Sequence, residues 1–310
     1  TFRDNSFSRN IGSAYIQGSM FKDVEELIDV IDSIILLNIF NEDESLKVIT
    51  PDILKMITNR SVLEADLPEL VENNRILLEC QPITDMKRVP FCYEVFPNVD
   101  AEKYQGVDSN TIFDLASQTG VLKQLCYRIF DLLFTYLSKK DYEGLRLEIA
   151  LPLAIFADNE FVAYLKRHAK TKNFRKDSIC LNLCNKTPSP DIKNVIQNVN
   201  LLSDSGYLLA IDNFCEGYID FDFLTGINYK RIKITGSLLA SAVQGAKNAG
   251  YLSIIYAAIG RLSSEIVQKG IDNKDEYSFA SVFEVAYGQG SYLSKKMPIA
   301  FLPSTAKSKS

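Results

Sequence analysis

Four polar side chains interrupt apolar runs in this chain. They are Glu94 in Tyr93-Glu94-Val95-Phe96, Asp212 and Asn213 in Ala210-Ile211-Asp212-Asn213-Phe214, and Lys233 in Ile232-Lys233-Ile234. Charge inside an apolar run is costly unless it is paired or used. A carboxylate, a carboxylate beside an amide, and an amine could meet at one rim of a fold. Two-metal cleavage of a phosphodiester needs several carboxylate or amide oxygens to hold two divalent ions ~3.5–4 Å apart. Two acids are few for that task. The plainer reading leaves Glu94 and Asp212 in local hydrogen bonds and makes Lys233 an internal lysine paired with one of them.

Those residues must be placed by regular elements. From residue 75 onward, short apolar runs of strand length alternate with longer helical segments. The strand candidates are 75–83, 90–96, 145–151, 178–183, 207–211, 229–234, 253–257 and 279–286. Helices are expected at 111–116, 121–137, 159–168, 191–203, 219–225, 237–248 and 261–269. Eight strands with intervening helices point to an α/β fold, a TIM-like (β/α) barrel, whose chemistry sits at the C-terminal strand ends. The first two strands are joined by too few residues for a crossover helix, so they form an antiparallel pair. Upstream, apolar residues recur at helical spacing over 23–39, and Thr50-Pro51-Asp52 reads as an N-cap with proline in the first turn of a helix running toward Leu70. The expected division is 1–60 as a small α/β or helical cap, 61–303 as the barrel, and 304–310 as a frayed, disordered Lys/Ser-rich tail.

The composition of 310 residues, 46% hydrophobic and 24% charged, is that of a soluble globular protein. With 34 Lys+Arg against 39 Asp+Glu, the net charge of −5 leaves no basic excess for phosphate backbones, so nucleic acid is not the expected partner. The longest apolar stretch, 34–40, is too short to span a bilayer. The chain begins with Thr1, which leaves open an upstream sensor or membrane anchor. Six cysteines (Cys80, Cys92, Cys126, Cys180, Cys184, Cys215) lie in apolar runs without a CxxC pair and read as reduced core thiols of a cytoplasmic protein. His168, the single histidine, sits among Lys166, Arg167 and Lys170 at a helix end, as a solvated surface residue.

Several short motifs then fall in order: Leu77-Leu78-Glu79-Cys80-Gln81-Pro82-Ile83, Tyr93-Glu94-Val95-Phe96, Leu115-Ala116-Ser117-Gln118-Thr119-Gly120, Phe156-Ala157-Asp158-Asn159-Glu160-Phe161, Ala210-Ile211-Asp212-Asn213-Phe214-Cys215-Glu216-Gly217-Tyr218, Ile232-Lys233-Ile234 and Gln289-Gly290-Ser291-Tyr292-Leu293. Over roughly 62–303 this pattern resembles the EAL domain, the cyclic-di-GMP phosphodiesterase family. Ile11-Gly12-Ser13-Ala14-Tyr15 and Val24-Glu25-Glu26-Leu27-Ile28 are similar to the last strand and helix of a GGDEF domain, without its signature loop and with Asn38-Ile39 in place of an alanine-lysine pair. That resemblance implies a truncated remnant acting as cap and linker.

What the EAL resemblance implies for chemistry is mixed. Glu94 matches the family's metal-ligating glutamate, Asp212 the first aspartate of its DDFG motif, Lys233 its catalytic lysine and Gln289 the glutamine near the barrel's end. Asn213 replaces the second aspartate. Ala150 stands for a metal-binding asparagine, Asn182 for a metal-binding glutamate, and Asn185 for a further acid. Near Tyr256-Ala257-Ala258-Ile259-Gly260, where the family carries two acids flanking Gly-Val, there is none. Neutral amides bind Mg²⁺ or Mn²⁺ more weakly than carboxylates. The expectation is therefore a catalytically inactive signalling protein with no metal, in which Glu94, Asp212 and Lys233 are vestigial. Weak phosphodiesterase activity with Mg or Mn is the alternative. As a receptor it would hold cyclic-di-GMP through Gln81, Glu94, Phe96, Asp212 and Gln289; against this, Asn98 replaces a phosphate-binding arginine. As a scaffold it would contact another signalling protein. The family also implies a homodimer through 213–224, where Cys215 and Glu216 depart from the pattern.

Overall fold

A strand of two residues closes the barrel. This computed structural model describes residues 13–302 apart from 16, 18–20, 22, 37–45, 101, 140–143, 172–173, 185–190, 217–220, 263–264 and 284. Asn185, Asn38-Ile39, Tyr218 and the 304–310 tail lie outside the described residues.

The N-terminal part holds β1 (Ser13–Tyr15), α1 (Val24–Leu36) and β2 (Leu46–Val48), with β1 and β2 parallel. Then α2 (Pro51–Glu72) opens as the sequence expects, the Thr50 side chain accepting from the amide of Ile53. This helix serves two cores. Ile57 packs with Val30, Ile34 and Ile49, whereas Leu63, Leu67, Leu70 and Val71 belong to the barrel.

The barrel follows as β3 (Leu77–Thr84), β4 (Pro90–Asn98), α3 (Ser109–Gln118), α4 (Leu122–Leu137), β5 (Leu147–Pro152), α5 (Asn159–Ala169), β6 (Ile179–Cys184), α6 (Ile192–Asp204), β7 (Leu208–Phe214), α7 (Phe221–Gly226), β8 (Arg231–Ile234), α8 (Gly236–Gln244), α9 (Ala246–Arg261), β9 (Glu265–Gln268), α10 (Lys274–Val282) and β10 (Tyr287–Gly288). Strands β4 through β10 run parallel in chain order, and β3 closes the ring antiparallel to both β4 and β10. A further short strand, β11 (Met297–Pro298), flanks β3. The barrel with an antiparallel first strand is thus as expected.

The last third departs from the sequence reading. Residues 253–257 are inside α9, the first half of 279–286 falls in α10, and 261–269, expected as a helix, contains β9. The run Ser253-Ile254-Ile255, with its two β-branched isoleucines, imitates a strand, yet Leu252, Tyr256 and Ile259 are the buried residues, one helical face at i, i+4, i+7. The true strand is four residues with polar ends, too short to register as an apolar run. Tyr256 instead supports it from outside, its hydroxyl donating to Gln268 Oε1 at 2.6 Å.

Two smaller expectations change. Cys80, Cys92, Cys126 and Cys180 are buried thiols, Cys184 is half-buried, but Cys215 is exposed in the loop after β7. His168 is not freely solvated: it stacks on Phe134 with ring centroids 4.1 Å apart, and burial lowers its pKa. No helix among the described residues is long and apolar enough to cross a membrane.

Candidate functional site

The C-terminal rim of the barrel opens into a cavity of about 990 Å³. Glu94 of β4 and Asp212 of β7 line it, with Gln81, Phe96, Ala150 and Gln289. The five expected ligand-binding residues are therefore brought to one cavity. Lys233 lies beneath it, fully buried, with Nζ 2.9 Å from Glu94 Oε2, the internal ion pair read from sequence. Asn98 is at the far end of β4, where its Oδ1 accepts from the amide of Val99, and it lines a smaller adjoining pocket.

Three charged residues that the sequence reading missed complete the arrangement. Glu148 is the register partner of Glu94 on the next strand and is 1% exposed. It accepts from Lys233 Nζ at 3.3 Å, Asn182 Nδ2 at 3.3 Å and Arg231 at 2.6 Å. Arg231 of β8 also holds Glu265 at 2.8 Å. Third, Lys269, directly after β9, donates to Asp212 Oδ1 at 2.9 Å, Asp212 Oδ2 at 3.2 Å and Asn213 Oδ1 at 3.0 Å. Arg231 and Glu148 carried a signal: period-2 alternation in Arg231-Ile232-Lys233 and Leu147-Glu148-Ile149-Ala150 turns them inward. Lys269 could not be found once β9 was displaced.

With β9 in place, the acid–Gly–Val–acid element implied by the resemblance falls on Lys269-Gly270-Ile271-Asp272, not near Tyr256. One acid therefore remains, contrary to expectation, and a lysine stands in place of the other. Asp272 is spent on architecture, its Oδ1 accepting from the amide of Ser291 at 2.6 Å. That contact and the close seat of Gly290 on Ile271, where an added Cβ would lie 2.2 Å from the Ile271 carbonyl oxygen, fix the turn that presents Gln289.

Backbone detail explains how one lysine reaches two neighbouring side chains. Successive strand residues normally face opposite ways. Here the β7–β8 register shifts between Ile211 and Phe214, and Asn213 adopts φ +50°, a left-handed conformation that asparagine tolerates. Both Asp212 and Asn213 therefore turn to Lys269. The loop beyond is tied back by Glu216, which accepts from the hydroxyls of Thr235 and Ser237, both at 2.6 Å.

The electrostatics are closed. Three buried carboxylates, Glu94, Glu148 and Asp212, face three side-chain cations, Lys233, Lys269 and Arg231. Burial pushes the Glu94 carboxyl up, but Lys233 and then Lys269 outweigh it and hold it down at about 2. Burial lowers both lysines while the surrounding carboxylates raise them, with a net upward shift in each.

The donors present do not fit the paired divalent ions that the family implies. No group of three or more His, Cys, Asp or Glu among the described residues is placed to hold a metal. A divalent ion bound ~2.1 Å from Asp212 Oδ1 would lie at most about 5 Å from an ammonium already 2.9 Å from that oxygen, a repulsion of about 7 kcal/mol at an effective dielectric of 20. Other polar groups are free for a ligand. The buried Gln289 Oε1 and Arg60 Nη1 have no protein hydrogen-bond partner, and both residues line the cavity with Lys295 and Lys296. Lys296 Nζ lies 4.2 Å from the Phe96 ring centroid, over one face of that ring.

Comparison with known proteins agrees with this architecture. The EAL domain model matches residues 64–296, well over half of the chain. Among curated relatives, the probable cyclic di-GMP phosphodiesterase PdeG of Escherichia coli K12 is 23% identical over 129 residues, 41% of this chain and 25% of that protein. The probable cyclic di-GMP phosphodiesterase PdeA of the same organism is 20% identical over 249 residues, 78% of this chain and 33% of that protein. The chain thus spans a third or less of the length of these relatives. Among solved structures, the EAL enzyme Bd1971 bound to cAMP and cyclic-di-GMP superposes with a TM-score of 0.70 at 18% identity, covering 78% of this chain and 68% of that one. The FimX EAL domain from Pseudomonas aeruginosa bound to c-di-GMP gives 0.61 at 17%, covering 75% and 95%. The strand order, the antiparallel first strand and the family match over most of the barrel establish that the chain belongs to the EAL-domain family.

Proposed function

We propose that this chain is a non-hydrolytic EAL domain that binds cyclic-di-GMP and passes its occupancy to another signalling protein. The observation carrying this reading is the charge closure of the barrel: each of the buried carboxylates Glu94, Glu148 and Asp212 is matched by a lysine or arginine of the chain itself. Water at the rim then has no activating cation, because an ammonium supplies charge but not the coordination that lowers the pKa of bound water. Binding asks less. A cavity of about 990 Å³ is at the upper end of ligand-site size, with amides of Gln81 and Gln289 for base edges and the basic side chains of Arg60, Lys295 and Lys296 for phosphates. The domain would act within a larger protein, in the cytoplasm or as the cytoplasmic part of a membrane-anchored chain, with the β1–α1–β2 unit as the eroded remnant of a GGDEF-like module that caps the barrel; pairing of two copies through 213–224 is part of the same reading.

Calorimetric titration of the chain with cyclic-di-GMP, run beside an assay for linear pGpG, tests this. Saturable heat without pGpG is expected. Metal-dependent pGpG formation that vanishes in Glu94→Ala would establish instead a weak phosphodiesterase using Glu94, Asp212, Lys233 and the amides of Asn182 and Asn213. Absence of heat would leave a protein-interaction scaffold.

A further inference from the structure

We infer that the ammonium of Lys269 is a tethered cation that takes the place of a divalent ion at the Asp212–Asn213 rim and excludes one from it. This deepens the proposed function, on which it rests for the identity of the ligand but not for the behaviour toward metal.

The geometry is that of a small cation in a cage of oxygens. Three donors of one ammonium meet three acceptors at 2.9, 3.2 and 3.0 Å, which uses its full hydrogen-bonding capacity. Asp212 is 1% exposed, so its charge is not answered by solvent, whereas the lysine side chain is 22% exposed where it borders the cavity. Lys233 cannot substitute, because it lies deeper, between Glu94 and Glu148. The lysine backbone is also fixed. Gly270 follows at φ +72° and packs so closely on Gly236 that an added Cβ would lie 2.5 Å from the Gly236 Cα, which locks the end of β9 against the start of α8.

A covalently attached cation has a chemical consequence that a dissociable ion lacks. Its occupancy does not depend on metal supply, and chelators do not remove it. One positive charge in place of two leaves Asp212 and Asn213 satisfied while keeping a cation at the cavity wall, whose field, its donors being engaged, still favours an anionic ligand. The cavity therefore binds its ligand equally in EDTA and in Mg²⁺.

The test titrates the full chain with Mn²⁺ alone, followed by the Mn²⁺ electron paramagnetic resonance signal. The unaltered chain is expected to show no saturable binding up to millimolar Mn²⁺. Lys269→Glu is expected to gain a site tighter by more than ten-fold, since it removes the repelling charge and adds a ligand. Lys269→Gln, which removes the charge alone, gains a weaker one and decides the matter if the acidic variant does not fold. Saturable Mn²⁺ binding to the unaltered chain that is lost in Asp212→Asn overturns the inference, as does silence in both variants. A parallel cyclic-di-GMP titration in EDTA and in Mg²⁺ reads the ligand separately. Ligand silence there defeats the receptor reading while the Mn²⁺ result still judges Lys269.

Discussion

Glu94 and Glu148 face each other across the β4–β5 ladder, and the single ammonium of Lys233 holds both, at 2.9 and 3.3 Å. Two buried carboxylates on adjacent strands would repel without it. Lys233→Met is therefore expected to cost about 3–5 kcal/mol, the penalty for stranding a buried charge. Urea denaturation measures this, and a loss below about 1 kcal/mol would show that Arg231 alone suffices for the pair.

Acid stability follows from the same cluster. Glu94 is held below its ordinary 4.5, at about 2, so the unfolded chain binds the extra proton in between. Its contribution is complete above about 4.5 and fades as the pH falls toward 2. A denaturation series across that window is expected to show stability rising with pH, with a shallower slope in Glu94→Gln. The lysines are shifted the other way: their contribution is full at neutral pH and lost only as the pH rises above their ordinary range.

Much of this was legible from residue order. Glu94, Asp212 and Lys233 stood out as polar punctuation in apolar runs, Gln81 and Gln289 entered through the resemblance to the EAL domain, and β3 through β7, of six residues or more, are long enough to show their alternation. The signal failed where an element was too short to bury a run of its own. β9 has four residues like β8 but keeps only Ile266-Val267 between Glu265 and Gln268, β10 has two, and the helix before them is rich in isoleucine. Misplacing β9 hid Lys269, and with it the reason the Asp212 rim is electrostatically complete. Partnerships such as Arg231 with Glu148, 83 positions apart, belong to barrel closure, and no local pattern announces them.

Gly270→Ala is expected to destabilise the chain by about 1–3 kcal/mol, since it forces a side chain onto a left-handed backbone and against Gly236. Its thermal midpoint should fall further than that of Gly245→Ala, where an added Cβ meets nothing within 4 Å. Equal shifts would mean that the β9–α8 approach yields easily.

On the receptor reading, Arg60→Ala is expected to weaken cyclic-di-GMP about ten-fold or more, the loss of one charge-assisted phosphate contact. Arg60→Lys keeps the charge but not the fork and should recover only part. Unchanged heats in both variants would remove Arg60 from the ligand's surroundings.

Arg60 lies on α2 between Ile57, which packs in the N-terminal core, and Leu63, which packs in the barrel core. Twenty-two residues of helix make a rod of about 33 Å. Anchored at both ends, such a rod cannot roll or slide at one end without carrying its middle along. The N-terminal unit and the cavity thus share one mechanical part, and on the receptor reading a ligand held by that guanidinium would be joined through a single helix to the first core.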